Sequence, residues 1–124
     1  MKLKHILLID DNEIDNFINS YIISNSKIAQ TITIKSSAIE ALEYLITIDS
    51  GYPELIFLDI QMPEMNGFEF LKEFTRLTST DKQYCSIIML TSSNSPADIE
   101  LALSNPFVTN YFNKPLDAEM LASI

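Results

Sequence analysis

The sequence predicts a doubly wound α/β domain, a five-stranded parallel sheet with helices on both faces. Three observations carry this. Five short apolar runs alternate with segments whose apolar residues recur at helical spacing, the repeat of a parallel sheet built from strand–helix units. The first, third and fourth runs are apolar nearly throughout rather than at every second residue, as strands buried on both faces are. At 124 residues the chain has the size of one domain with one core, spanning 1–124, and no stretch reads as a linker, a repeat or a low-complexity tract.

Residues 5–10 (HILLID) form the first run, which closes on acids. Ile14, Phe17, Ile18, Tyr21 and Ile22 follow at i, i+3, i+4, i+7 and i+8, which predicts a helix with these five on its buried face. Residues 31–35 (TITIK) are β-branched and read as the second strand. Ser37 stands three residues before Glu40, the spacing of a capping box, and Ala38, Ala41, Leu42 and Leu45 form the stripe of the second helix. Gly51, Tyr52 and Pro53 break the chain. Residues 54–59 (ELIFLD) are the third strand, and Phe68, Leu71, Phe74 and Leu77 mark the third helix. Residues 86–91 (SIIMLT) are the fourth strand. Ser95, Pro96 and Asp98 supply a cap, a first-turn proline and an acid at the positive end of a helix continued by Ile99, Ala102 and Leu103. Residues 108–112 are the fifth strand, and Asp117 caps a last helix carrying Met120, Leu121 and Ile124.

Composition narrows the function. Seventeen acids against eight bases give a net charge of −9, which repels nucleic acid and anionic membranes. The single cysteine, Cys85, allows neither an intrachain disulfide nor a thiolate zinc cluster and fits a cytoplasmic protein. No apolar run is long enough to span a bilayer, and Asp10 and Asp11 end the N-terminal run too early for a signal peptide. His5 and Cys85 read as structural, and Asn12, Glu13 and Asp15 as a solvated acidic first turn.

The chemistry lies at the strand ends. In a doubly wound sheet, ligands sit beyond the carboxyl ends of the strands. Asp10 and Asp11 end the first strand, Asp59 the third, Thr91 the fourth, and Lys114-Pro115 follows the fifth. Each has a bland reading, as a turn acid, a capping hydroxyl or a surface lysine. Four bland readings at four strand ends are together much less plausible than one crevice holding three carboxylates, a hydroxyl and an ammonium. Three close carboxylates repel one another, which raises their pKa values or demands a cation. Their oxygens suit Mg²⁺, with Mn²⁺ as a substitute. A carboxylate beside Mg²⁺ can accept a phosphoryl group, with the metal and a lysine neutralising charge on the transferring oxygens.

In these residues the sequence resembles the receiver domains of two-component response regulators. The resemblance rests on LLIDD at 7–11, LIFLDIQMPEMNGFEFL at 55–71, IIMLTSS at 87–93 and YFNKP at 111–115, and spans almost the whole chain. It implies a flavodoxin-like sheet of strand order 2-1-3-4-5. It implies that Asp59 is the phosphoacceptor, and that Asp11 and Asp59 ligate Mg²⁺ directly. Asp10 would act mainly through a bound water, with the Gln61 backbone carbonyl as a further ligand. Thr91 and Lys114 would contact the phosphoryl group, Tyr111 would be the switch aromatic, and Pro115 would follow a cis peptide bond. Gly67 would serve a loop needing unusual φ/ψ. The donor would be a histidine kinase or phosphotransfer protein. The output would be a protein target or self-association at the face made by the fourth helix, fifth strand and fifth helix. Gln61 and Ser93 occupy the positions that tune phosphoryl lifetime in the family. The last helix is shorter than usual for the family, which raises the expectation of a trimmed or excised receiver.

Rival classes leave different traces. A receiver-like binding module that takes no phosphate would not need the complete set of acids, Thr91 and Lys114. A phosphatase of the haloacid-dehalogenase type needs a second acid two residues after the nucleophile, where this chain has Gln61. A flavin carrier would show a Ser/Thr-rich phosphate loop after the first strand, and a P-loop enzyme its glycine-lysine signature; neither is present. Dedicated turnover of a separate substrate is therefore not expected, only Mg²⁺-dependent self-phosphorylation and slow self-dephosphorylation.

Overall fold

A computed structural model describes residues 2–124. The strands are β1 (Leu3–Ile9), β2 (Ala29–Lys35), β3 (Leu55–Leu58), β4 (Ser86–Thr91) and β5 (Val108–Asn113). The helices are α1 (Glu13–Ser26), α2 (Ala38–Thr47), α3 (Gly67–Arg76), α4 (Pro96–Leu103) and α5 (Ala118–Ala122). One sheet holds all five strands in the order β2-β1-β3-β4-β5, and every pairing is parallel. The predicted architecture and strand order therefore hold.

The continuous apolar runs divide by parity. Leu7, Ile9, Ile56, Leu58, Ile87 and Met89 point to a core shared with Ala41, Leu45, Phe70, Phe74 and Ala102, under α2, α3 and α4. Ile6, Leu8, Leu55, Phe57, Ile88 and Leu90 point the other way, to Ile23 of α1 and Leu121 of α5. Successive side chains of a strand face opposite sides, so only a strand covered on both faces needs apolar residues at every position.

The structure corrects several local expectations. The largest concerns α1. Of its five predicted core residues, Ile14, Phe17 and Tyr21 are 71, 73 and 61% exposed, Ile18 is exposed and Ile22 only half-buried. The face against the sheet is instead Asn16, Asn19 and Ile23. Its orientation is set at its start. Asn12 caps the helix by accepting the N–H groups of Ile14 and Asp15, both at 3.0 Å, and the Asn16 amide donates to the Asp10 carbonyl at 2.7 Å. That polar contact turns the asparagine face inward at the site end of the helix.

Smaller differences have local causes. β3 ends at Leu58 rather than Asp59, and β1 runs from Leu3 to Ile9 rather than over 5–10. Asp10 and Asp59 still donate their N–H groups to Lys35 and Ile9, at 3.2 and 3.1 Å, so each sits one step past its strand. Half of the Ser37 capping box forms: Ser37 Oγ accepts the Glu40 N–H at 3.1 Å, while the Glu40 carboxylate accepts from Ser36 instead. A full box occurs at α3, between Asn66 and Glu69. Phe70, at 0% exposure, joins Leu71 and Phe74 inside, while Phe68 is half-buried and Leu77 lies past the helix end. Leu103 is exposed on α4, and Ala102 fills its inner position. A short 3₁₀ turn, Thr80–Tyr84, precedes β4 without having been expected. His5 is structural as predicted: its two ring nitrogens bond the Gly51 carbonyl and the Thr33 hydroxyl, both at 2.7 Å.

Candidate functional site

Parallel strands deliver their carboxyl ends to one edge, and β1, β3, β4 and β5 are consecutive neighbours there from the middle of the sheet outward. Asp10 and Asp59 are buried just past β1 and β3, Thr91 is buried as the last residue of β4, and Asp11 is exposed at the rim. Asp10, Asp11 and Asp59 each present a carboxylate oxygen, and these lie within 4.8 Å of one another. A cavity of about 310 Å³ opens beside them, lined by Asp11, Asp15, Asp59, Gln61, Thr91 and Lys114 among others.

Lys114 closes the cluster. It stands directly after β5 and before a cis Lys114–Pro115 bond, and its N–H donates to the Thr91 carbonyl at 3.0 Å. The ammonium lies 2.6 Å from Asp10 Oδ2, 2.8 Å from Asp15 Oδ2 and 3.3 Å from Asp59 Oδ2. Local backbone contacts fix the remaining carboxylate oxygens. Asp10 Oδ1 accepts the Asn12 N–H at 3.0 Å, and Asp59 Oδ1 accepts the Ile60 N–H at 2.8 Å.

Burial dominates the electrostatics of Asp10. It pushes the carboxyl up from 3.8 to about 6 despite hydrogen bonds from Lys114 and the Asn12 backbone, and the neighbouring Asp59 charge adds to the rise. Burial alone would lower the Lys114 ammonium. Its hydrogen bonds to Asp10 and Asp15 and the charges of Asp59 and Asp10 outweigh that and hold it above its ordinary value. Cys85 lies elsewhere, its thiol pushed up by burial to about 12, so it is no nucleophile.

The predicted residues Asp10, Asp11, Asp59, Thr91 and Lys114 are thus brought together, and Gln61 lines the same cavity. Tyr111 is half-buried beside the loop after β4, and its hydroxyl donates to the Ser93 carbonyl at 2.8 Å. The Thr91 hydroxyl accepts the Ser93 N–H at 3.2 Å, so one residue links Thr91 to Tyr111. Gly67 is needed for a different reason than expected. Its φ is not in the left-handed region, but a Cβ there would lie 2.5 Å from the Asp59 carbonyl oxygen and 2.9 Å from Ile60 Cα. The residue that the sequence reading missed is Asp15, assigned to a solvated turn yet paired with Lys114. Its signal was its place one helical turn after Asp11.

A set of hard oxygen donors around a buried ammonium fits a divalent cation held beside an anion. The fold and this edge together define a doubly wound α/β domain with a pocket of clustered carboxylates and an ammonium at the carboxyl end of its sheet. The family model described as "Response regulator receiver domain" matches residues 6–124, and the chain belongs to that family, the receiver domains of two-component response regulators. It is 32% identical over 99 residues to the two-component response regulator ORR3 of Oryza sativa subsp. indica, covering 80% of this chain and 71% of that protein. Among solved structures it is similar to a two-component response regulator from Cytophaga hutchinsonii, with a TM-score of 0.91 and 32% identity over 99% of this chain and 94% of that one. It is also similar to the bacteriophytochrome response regulator RtBRR, with a TM-score of 0.80 and 28% identity over 98% and 75%.

Proposed function

We propose that the chain, as a single receiver domain over 1–124, accepts a phosphoryl group on Asp59 from the phosphohistidine of a kinase or phosphotransfer protein and signals by protein contact. The carrying observation is the Lys114 ammonium 3.3 Å from Asp59 Oδ2, at the mouth of a pocket with three clustered carboxylates. Asp59 Oδ2 attacks phosphorus as the nitrogen–phosphorus bond of the donor breaks, and the imidazole leaves. Asp59 Oδ1 stays on the Ile60 N–H, which holds the nucleophile's plane. Lys114 and the Thr91 hydroxyl then meet the phosphoryl oxygens. The residues present fit Mg²⁺, since Asp10, Asp11 and Asp59 present carboxylate oxygens within 4.8 Å of one another: Asp11 and Asp59 would hold it directly and Asp10 through water, with the Gln61 backbone carbonyl as a further ligand. When bound, Mg²⁺ (or Mn²⁺) neutralises charge on the transferring oxygens. Slow loss of the phosphoryl group to water returns the chain to its resting state.

The signal leaves through Ser93. When Thr91 turns to a phosphoryl oxygen it releases the Ser93 N–H and vacates space beside β5, and Tyr111 gives up its bond to the Ser93 carbonyl and turns inward to fill that space. The face of α4, β5 and α5 would then change for a protein target or a second copy of the chain. The net charge of −9 argues against direct contact with nucleic acid. Among the described residues no helix is long and apolar enough to cross a membrane, and a cytoplasmic location is consistent with the single, buried Cys85.

Intact-mass spectrometry after incubation with acetyl phosphate and Mg²⁺ should show one added phosphoryl mass, and Asp59→Asn should remove it. With beryllofluoride, spectral changes on α4 should appear in wild type and shrink in Thr91→Ala. An unmodified wild type under conditions that modify other receivers would favour the phosphate-free binding module.

A further inference from the structure

We propose that Asp15 is a positioning residue that holds the Lys114 ammonium toward α1, and so sets the balance between cation and anion in the pocket. The inference rests on the reading of this pocket as a phosphoryl site. Its starting point is a contrast between two helices that begin alike. Both α1 and α3 have an asparagine cap followed three residues later by an acid, Asn12 with Asp15 and Asn66 with Glu69. At α3 the acid closes the capping box, with the Asn66 N–H donating to Glu69 Oε1 at 2.9 Å. At α1 the Asn12 N–H is taken by Asp10 Oδ1. The Asp15 carboxylate is left to face the pocket, where Lys114 donates to its Oδ2 at 2.8 Å.

This is not an ordinary surface ion pair. The Lys114 side chain is only 12% exposed, and its ammonium meets three carboxylates at once. Two of them, Asp10 and Asp59, belong to the cluster whose oxygens converge within 4.8 Å, and Asp15 does not. When a cation and a phosphoryl group occupy that cluster, Asp15 is the partner that Lys114 keeps. It therefore draws the ammonium away from the phosphoryl oxygens. It also adds a fourth carboxylate to a pocket with one ammonium, which favours a cation and opposes a dianion.

The two effects have opposite signs, and loss of structure does not imitate that. Mg²⁺ titration and binding of beryllofluoride at saturating Mg²⁺ are measured on wild type, Asp15→Asn and Asp15→Glu. Asp15→Asn should weaken Mg²⁺ about 2- to 5-fold and tighten beryllofluoride about 3- to 10-fold, on the scale of one partly screened charge. Asp15→Glu, which keeps the charge, should return both toward wild type. If Asp15→Asn weakens both ligands, leaves both unchanged or tightens the metal, the inference is wrong. If wild type binds no beryllofluoride, the phosphoryl reading fails by itself. The Mg²⁺ titration then decides on Asp15 alone: unchanged affinity in Asp15→Asn overturns it, and weaker affinity upholds its effect on the cation.

Discussion

Asp10 carries the clearest cost in the molecule. Burial pushes its carboxyl up from 3.8 to about 6, because it disfavours the charge more than Lys114 and the Asn12 N–H favour it. The sign follows from linkage. A carboxyl raised by folding stabilises the fold below its ordinary pKa, where it is protonated in both states, and that contribution is lost as pH rises to about 6. Without metal at neutral pH, Asp10→Asn should therefore stabilise the protein by about 1–3 kcal/mol, the order expected for removing a buried carboxylate held that far above its ordinary range. The gain should fade toward pH 4. Chemical denaturation in the presence of a chelator at neutral and acid pH checks it, and a variant less stable than wild type at both would contradict it. The pocket thus spends folding stability on a charge that a bound cation can use.

At the scale of elements, α1 shows that helical periodicity does not fix which side of a helix meets the sheet. Ile14, Phe17, Ile18 and Tyr21 have the spacing of a core stripe, yet they form an exposed apolar face on the helix that carries Asp15 into the pocket. Exposed apolar patches of this kind mark contact surfaces. Under the proposed function, a protein donor would dock on this face to bring its phosphohistidine to Asp59. Phe17→Ser should change stability by less than about 0.5 kcal/mol, because the ring is already in solvent. It should slow transfer from a protein donor about tenfold or more, on the scale of one lost interface anchor. Phosphorylation by acetyl phosphate, which needs no docking face, serves as the internal comparison. Equal slowing with both donors would show that the substitution harms the pocket rather than a docking surface.

For the whole molecule, site and fold are one system, because the acids come from the ends of β1 and β3 and only the folded sheet assembles them. A cation that binds the native state alone must stabilise it. At a Mg²⁺ concentration ten times its Kd the gain should be about 1.4 kcal/mol, seen as a rise of several degrees in Tm. Asp11→Ala, at the exposed rim of the cluster, should abolish most of that rise without unfolding the protein. A full Mg²⁺ response in the variant would place the cation elsewhere.

Several features needed only the sequence. The apolar runs of β1, β3 and β4 determined a sheet centre covered on both sides, since two-sided burial demands apolar residues at every strand position. Acids, hydroxyl and lysine at those ends determined what the edge would contain, since parallel strands must bring their ends together. The caps Ser37, Ser95 and Asp117 were also legible, because capping is settled within a few residues. What tertiary structure decided were choices between faces and partners. Periodicity says that α1 has an apolar side but not that this side meets the sheet; the Asn16 amide on the Asp10 carbonyl chose the other one. Gly67 looked like a turn residue, and only the nearby Asp59 carbonyl showed that its missing Cβ makes room. Asp15 and Lys114 are 99 residues apart in sequence, and their contact exists only because β5 ends and α1 begins at the same edge. Local patterns are set by short-range sterics and hydrogen bonds. Which side of an element faces in, and which charge answers which, depends on the packing of distant segments.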